Sequence, residues 1–213
     1  MDENIDSNTL SNNQYSPLGV GSSREKILAT VKQNQPAAAK LPALRNYDQH
    51  YEDVVEKYIE VLRFIGGEAH LVNNYQEIES IIKGNFHAAK RIVSTCSEFS
   101  AIAEVDNNVT EPHGFADVDL FITTSNLAVA ENGAVWIKDE QLPSRVLPFI
   151  SQQLAVIIYK ESIVSTMHEA YNVIGDTDYG YAVFIAGPSK TADIAQSLVL
   201  GAHGPKSMTV FII

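Results

Sequence analysis

Apolar residues recur every three or four positions in two segments of the first half of the chain. This spacing predicts one helix that carries residues 54–65 and ends at Gly66-Gly67, because glycine commonly terminates helices. A second helix is predicted around Ile78, Ile81 and Ile82, ending near Gly84. Short stretches at residues 68–72 and 91–94 predict strands. Helix and strand therefore alternate, which is typical of an α/β protein.

Longer apolar runs dominate the second half of the chain, at residues 118–123, 154–159, 181–186 and 207–213. Continuous apolar runs favour strands that are covered on both faces of a sheet. Residues 128–138 predict two short strands joined by the hairpin turn pair Asn132-Gly133. Helices are predicted over residues 163–173 and from about residue 190 to 200, where Gly201 ends the second one.

The first 46 residues differ from the rest of the chain. Residues 1–22 are polar and predict a loose tail, and Ser22 or Ser23 is suited to cap a helix that runs to about Gln33. Residues 35–46 contain two prolines and predict a linker. We therefore predict an N-terminal arm, 1–46, and an α/β domain, 47–213. The arm would pack on its own domain or on a neighbour, which makes a homo-oligomer possible.

Composition narrows the possible partners and the cellular location. The formal net charge of −11 disfavours nucleic acid and anionic lipid as general partners, although it permits a local site for a small anion. Cys96 is the only cysteine, so the chain predicts no internal disulfide and no iron–sulfur cluster of its own. Cys96 is either a nucleophile or, the simpler interpretation, a small thiol in the core or in a loop. Without a signal peptide or an apolar run of about 20 residues, we expect a cytoplasmic protein without a membrane span.

The motif GPSKTADI follows a predicted strand and opens a predicted helix. Free backbone N–H groups at a helix start favour an anion, and Ser189, Lys190 and Thr191 would add hydroxyls and a positive charge. Gly187, Pro188 and Asp193 complete this candidate anion site. The alternative is a well-capped helix, with Ser189 or Thr191 as the cap and Asp193 complementing the helix dipole.

The motif GAHGP places His203 just after the same predicted helix. His203 would act as an acid/base group or anion donor, or it would donate to a carbonyl at the helix end. The predicted helix would keep His203 roughly 15 Å from Asp193, so we expect no direct contact between them.

The motif AENG places Glu131 beside the predicted hairpin turn. Glu131 would be a nucleophile, a base or a ligand anchor, with Thr124, Ser125 and Asn132 as neighbouring ligand-binding residues. Its alternative role is a hydrogen bond to the turn or to a helix start. The tetrapeptide is also similar to the motif of coenzyme A transferases, in which the glutamate attacks an acyl-CoA.

A loop around His113 contains several possible metal ligands. Glu111, Asp117 and Asp119 lie close to His113 in sequence, but their spacing matches no standard ligand set. A solvated loop is the simpler interpretation, and we predict no metal site. The sequence also contains no P-loop, dinucleotide-binding, GxSxG or HExxH motif.

Taken in order along the chain, these motifs resemble the lactate-utilisation protein C family, also called the LUD domain. The resemblance rests on residues 123–135 (TTSNLAVAENGAV), 154–164 (LAVIIYKESIV), the GPSKTADI motif and the GAHGP motif. It implies a three-layer αβα fold with an open, mainly parallel sheet, of the sugar-phosphate isomerase and coenzyme A transferase type. The strands and helices predicted above fit that fold.

The resemblance also implies a function. Family members support oxidation of L-lactate to pyruvate together with partner proteins, one of which carries iron–sulfur clusters, so no cofactor is expected in this chain. This chain departs from the family pattern at Asn132-Gly133-Ala134, at Ser144-Arg145 and at Ala195, where the family has a glutamate. We expect either a lactate-utilisation subunit that binds a small anion, or an independent enzyme of the transferase or isomerase type that uses Glu131.

Overall fold

The computed structural model describes residues 22–40, 50–105, 111–192 and 198–213. The chain divides into two units, Met1–Ala43 and Leu44–Ile213, and each is described by itself. The first contains helix α1 (Ser23–Gln33). Ser22 caps α1 as predicted, because its hydroxyl accepts from the Glu25 N–H while the Glu25 carboxylate accepts from the Ser22 N–H. No residue of α1 is buried.

Among its described residues, the second unit contains four α-helices and eleven strands. The helices are α2 (Val54–Phe64), α3 (Tyr75–Asn85), α4 (Leu147–Ile150) and α5 (Met167–Ile174). The strands are β1 (Glu68–Leu71), β2 (Ile92–Ser94), β3 (Leu120–Thr124), β4 (Ala128–Val129), β5 (Ala134–Lys138), β6 (Gln153–Ile158), β7 (Ile163–Val164), β8 (Ala182–Ala186), β9 (Lys190–Ala192), β10 (Leu198–Leu200) and β11 (Ser207–Ile212). Within the described ranges, no helix has both the length and the apolar character needed to cross a membrane.

Five parallel strands form the central sheet, in the order β1-β11-β6-β3-β2. Both faces are covered. On one side, Ile78 and Ile82 of α3 share a buried cluster with Ile122 of β3. On the other side, Leu62 of α2 shares a second cluster with Phe121 of β3. The apolar runs therefore predicted these strands correctly, and the predicted α/β fold with a mainly parallel sheet is confirmed.

A second sheet, in the order β7-β4-β5-β8, lies on the same side of the central sheet as α2. Strands β4 and β5 form the predicted hairpin, and Gly133 has a φ of 69°, a value that favours glycine. Helix α5 covers the outer side of this sheet through Ala170 and Ile174. The helix predicted over residues 163–173 begins only at Met167, because residues 163 and 164 pair with β4 and Thr166 caps the helix.

The helix predicted from about residue 190 to 200 is wrong at the residues that the structure describes. Strands β9 and β10 form an antiparallel pair there, in which Thr191 lies opposite Val199. The Gly201 N–H donates to the Ser189 carbonyl at 3.1 Å, which holds the two ends of the segment together. A helix of this length would keep those ends about 15 Å apart. The tertiary hydrogen bond therefore overrides the local helical pattern, and Asp193 lies outside the described residues.

Candidate functional site

The GPSK and GAHGP segments form one cleft of about 310 Å³. Ser189 and His203 both line it, and Pro148 and Phe149 of α4 line it as well. The Ser189 N–H donates to the Pro205 carbonyl at 2.9 Å, so the two segments are joined by backbone hydrogen bonds on both sides of Ser189. The two motifs that the sequence singled out therefore meet in space, whereas the predicted helix would have separated them.

Gly187 sets the direction of the chain as it enters this cleft. Its φ is 70°, and an added Cβ would lie 3.1 Å from the Ile65 carbonyl oxygen. A larger residue would therefore combine backbone strain with a steric contact. Pro188 is buried next to it, while Ser189 is half-buried. The close approach to the end of α2 explains why a glycine precedes the Pro-Ser pair.

Lys190 lines the cleft, but its ammonium group is bound elsewhere. The Lys190 Nζ donates to the Ile65 carbonyl oxygen at the C-terminal end of α2. A positive charge at this end of a helix is favourable, because the last carbonyl groups carry partial negative charge. Lys190 therefore stabilises the end of α2 in this structure. Residue 190 also begins a strand, so it offers no helix N-terminus to an anion, and its ammonium group already binds the Ile65 carbonyl.

Glu131 lies beside the cleft segment but contacts a different element. Because Ala134 pairs with Ala186, the turn that carries Glu131 lies close to Gly187. The Glu131 Oε1, however, accepts a hydrogen bond from the Met167 N–H at the start of α5, at 2.9 Å. This contact is the structural alternative described above for Glu131. A reactive role for its carboxylate stays a prediction.

Asn132 and Ser125 make local hydrogen bonds. The Asn132 Oδ1 accepts from the Ala134 N–H at 3.0 Å and so closes the β4–β5 turn. Ser125 is 1% exposed, and its Oγ lies 2.8 Å and 2.7 Å from the carbonyl oxygens of Leu127 and Trp136. Both side chains therefore hold the second sheet together, and neither lines the cleft.

Thr124 lines a second cleft, of about 460 Å³, at the carboxyl ends of β2 and β3. Thr95 and Gln141 also line it, and the Gln141 Nε2 donates to the Thr124 carbonyl at 3.3 Å. Parallel sheets commonly bind ligands at this edge. Pro205 precedes the first residue of β11, so the first cleft lies near the amino ends of the parallel strands and the second cleft lies at their carboxyl ends. Thr95 and Gln141 were not selected from the sequence, although Thr95 directly follows a predicted strand.

Cys96 and the loop around His113 make structural contacts. Cys96 is 5% exposed, its N–H donates to Ser94 Oγ at 3.0 Å, and burial raises the pKa of its thiol. The core interpretation of this thiol therefore fits the structure. In the loop, Asp117 forms an ion pair with Arg91, and His113 is exposed in a 3-10 turn.

Sequence and structure comparisons agree with this architecture. A family model described as the LUD domain matches residues 55–213. Lactate utilization protein C of Oceanobacillus iheyensis is 31% identical over 101 residues, which cover 45% of this chain and 43% of that protein. Lactate utilization protein C 1 of Bacillus mycoides is 34% identical over 101 residues, with the same two coverages. The chain thus spans less than half the length of these curated relatives.

A solved structure shows the same fold. A DUF162 family protein from Deinococcus radiodurans superposes with a TM-score of 0.59, over 75% of this chain and 95% of that chain. Its sequence identity is 15%, so the likeness supports the fold alone. The family model, in contrast, covers most of the chain and includes both motifs of the cleft. The chain belongs to the LUD domain family.

Proposed function

We propose that this chain is a lactate-utilisation protein that binds a small carboxylate and acts together with iron–sulfur partner proteins. Relatives named lactate utilization protein C support the general role. The chain has one cysteine, which cannot hold an iron–sulfur cluster alone, so electron transfer would belong to a partner. The contribution of this chain would be to bind and position the organic acid in the cytoplasm.

The observation that carries the binding proposal is the shared cleft of Ser189 and His203. A serine hydroxyl and an imidazole N–H each donate a hydrogen bond to a carboxylate oxygen. Both groups come from segments that are fixed by backbone hydrogen bonds, so little ordering is needed on binding. Lys190 is assigned no direct contact with the acid, because its ammonium binds the Ile65 carbonyl.

Thermal unfolding in the presence of organic acids tests this site. L-Lactate and pyruvate should raise the Tm of the wild-type protein, since a ligand that binds the folded state stabilises it. His203→Gln and Ser189→Ala should reduce that increase. His113→Gln is the matched control, because His113 is an exposed histidine that does not line the cleft. An equal rise in Tm for the His203→Gln and wild-type proteins would remove His203 from the site.

Growth and association test the wider role. Deletion of the gene should impair growth on L-lactate and leave growth on glucose normal. A tagged copy of the full chain should co-purify with an iron–sulfur protein whose absorbance disappears on reduction. Normal growth of the deletion strain on L-lactate would contradict the proposed role.

A further inference from the structure

Strand β8 leaves one hydrogen-bonding edge of the second sheet open. The Asp139 N–H donates to the Tyr181 carbonyl, and the bonds of an antiparallel pair alternate, so the odd-numbered residues of β8 bond to β5. The backbone groups of the even-numbered residues point away from β5, and they have no hydrogen-bond partner among the described residues. These outward-facing residues are Ala182, Phe184 and Ala186.

The other edges of the central and second sheets are protected. Glu104 donates to and accepts from the backbone of β2, at 2.9 Å in both directions. Strand β1 begins with the charged Glu68, and the Arg63 guanidinium donates to its Ala69 carbonyl at 3.4 Å. Strand β7 has only two residues. Cover, charge and shortness are common means of preventing an edge from pairing, and the five uncharged residues of β8 show none of them.

The surroundings of the β8 edge suit a protein partner. Residues 181–189 contain no charged side chain, although the chain has a formal net charge of −11. Two of the outward-facing residues are alanines, whose small side chains do not shield the backbone. Exposed aromatic rings lie nearby: Tyr171 is 60% exposed with its ring 6.0 Å from that of Phe184, and Phe149 is 38% exposed and lines the cleft beside β8.

We propose that two copies of this chain form a dimer by antiparallel pairing of their β8 strands about a two-fold axis. Phe184 would lie opposite Phe184 of the second copy, and Ala182 opposite the second copy's Ala186. In this register, each outward N–H donates to the other copy and each outward C=O accepts, so the edge complements itself. No like charges lie opposite each other, which matters for two chains of the same negative charge. The two second sheets would become one continuous sheet.

Charges placed at the paired alanines test both the dimer and its register. Sedimentation velocity of the full chain across the micromolar range should give twice the chain mass of 23.4 kDa. The double variant Ala182→Glu with Ala186→Glu should be monomeric, because like charges then lie opposite each other. The matched double variant Ala182→Glu with Ala186→Lys should be dimeric again, because opposite charges then face each other. Near-ultraviolet circular dichroism checks that both variants are folded.

Several results would overturn the β8 dimer. A monomeric wild-type chain would do so and would leave the edge to a strand of another protein. A dimer that persists with two glutamates would place the interface elsewhere, and monomers in both folded double variants would exclude the proposed register. Amide hydrogen exchange of the wild-type chain needs no variant. Exchange over residues 182–186 should slow as the protein concentration rises, and an unchanged rate in the dimer would exclude pairing at β8.

Discussion

Glu131 and Glu169 place two carboxylates at the first turn of α5. Glu131 accepts from the Met167 N–H at 2.9 Å, and Glu169 accepts from the Ser165 N–H at 2.7 Å. Thr166 adds a side-chain cap for the Glu169 N–H. The first backbone donors of a helix have no partner inside the helix, so these side chains satisfy them and complement the helix dipole.

Replacement of Glu131 should therefore affect stability. Glu131→Ala is expected to lower the free energy of unfolding by about 1 kcal/mol, because the Met167 N–H loses its side-chain acceptor. Glu131→Gln should cost less, since the amide oxygen still accepts. Urea unfolding measures both, with Glu161→Ala at an exposed position as the control. Hydroxylamine trapping of an acyl group on Glu131 would instead support the transferase alternative.

Cys96 should react slowly in the folded protein. Burial raises the pKa of its thiol, so the fraction present as reactive thiolate at neutral pH is smaller than for a free cysteine. Alkylation by iodoacetamide should be at least about tenfold slower than in urea-unfolded protein, and faster as the pH rises. Because Cys96 is the only cysteine, mass spectrometry of the whole protein measures the rate. Equal rates in both states would contradict this assignment.

At the scale of elements, the sequence predicts strands better than it predicts the site. Strands β3, β6 and β11 are largely apolar because both of their faces are buried, and that pattern is local. The β9–β10 hairpin depends instead on hydrogen bonds of Ser189 with Pro205 and Gly201, which no local pattern contains. The sequence therefore indicates the two motifs of the cleft. It does not show that the motifs lie side by side, that Lys190 contacts Ile65 or that Thr95 lines the second cleft.

Gly187 precedes β9 and has a backbone conformation that favours glycine. Gly187→Ala should lower the free energy of unfolding by about 2 kcal/mol or more, because φ is positive and the Ile65 carbonyl lies close. Gly84→Ala is the matched control. Apart from its chain neighbours and the backbone of its own helix, no described atom lies within 4 Å of a Cβ at Gly84, so that change should stabilise α3 by about 0.5–1 kcal/mol. Similar effects of the two changes in urea unfolding would exclude strain at Gly187.

At the scale of the whole molecule, the described core belongs to the second unit. Every member of the three buried clusters lies between Tyr51 and Ile213. Helix α1 has its own cap and no buried residue. The stability of the α/β unit should therefore depend little on the N-terminal arm.

A chain that begins at residue 47 should fold by itself. We expect the same near-ultraviolet circular dichroism and a Tm within about 3 °C of the full chain, because no core cluster is shortened. Limited proteolysis of the full chain should cut within the exposed residues 34–40 before it cuts the α/β unit. An unfolded fragment would show that the arm contributes to the core and would overturn the predicted boundary.

The order of the central strands also determines when the sheet is completed during synthesis. Strand β1 precedes the other four strands of this sheet in the chain, yet among the described strands it pairs only with β11, where Glu68 lies opposite Thr209. Until the ribosome has released residues 207–212, β1 and one edge of β6 therefore lack a partner. Unpaired strand edges bind other chains readily, so we expect the chain to be most prone to aggregation before β11 has joined the sheet.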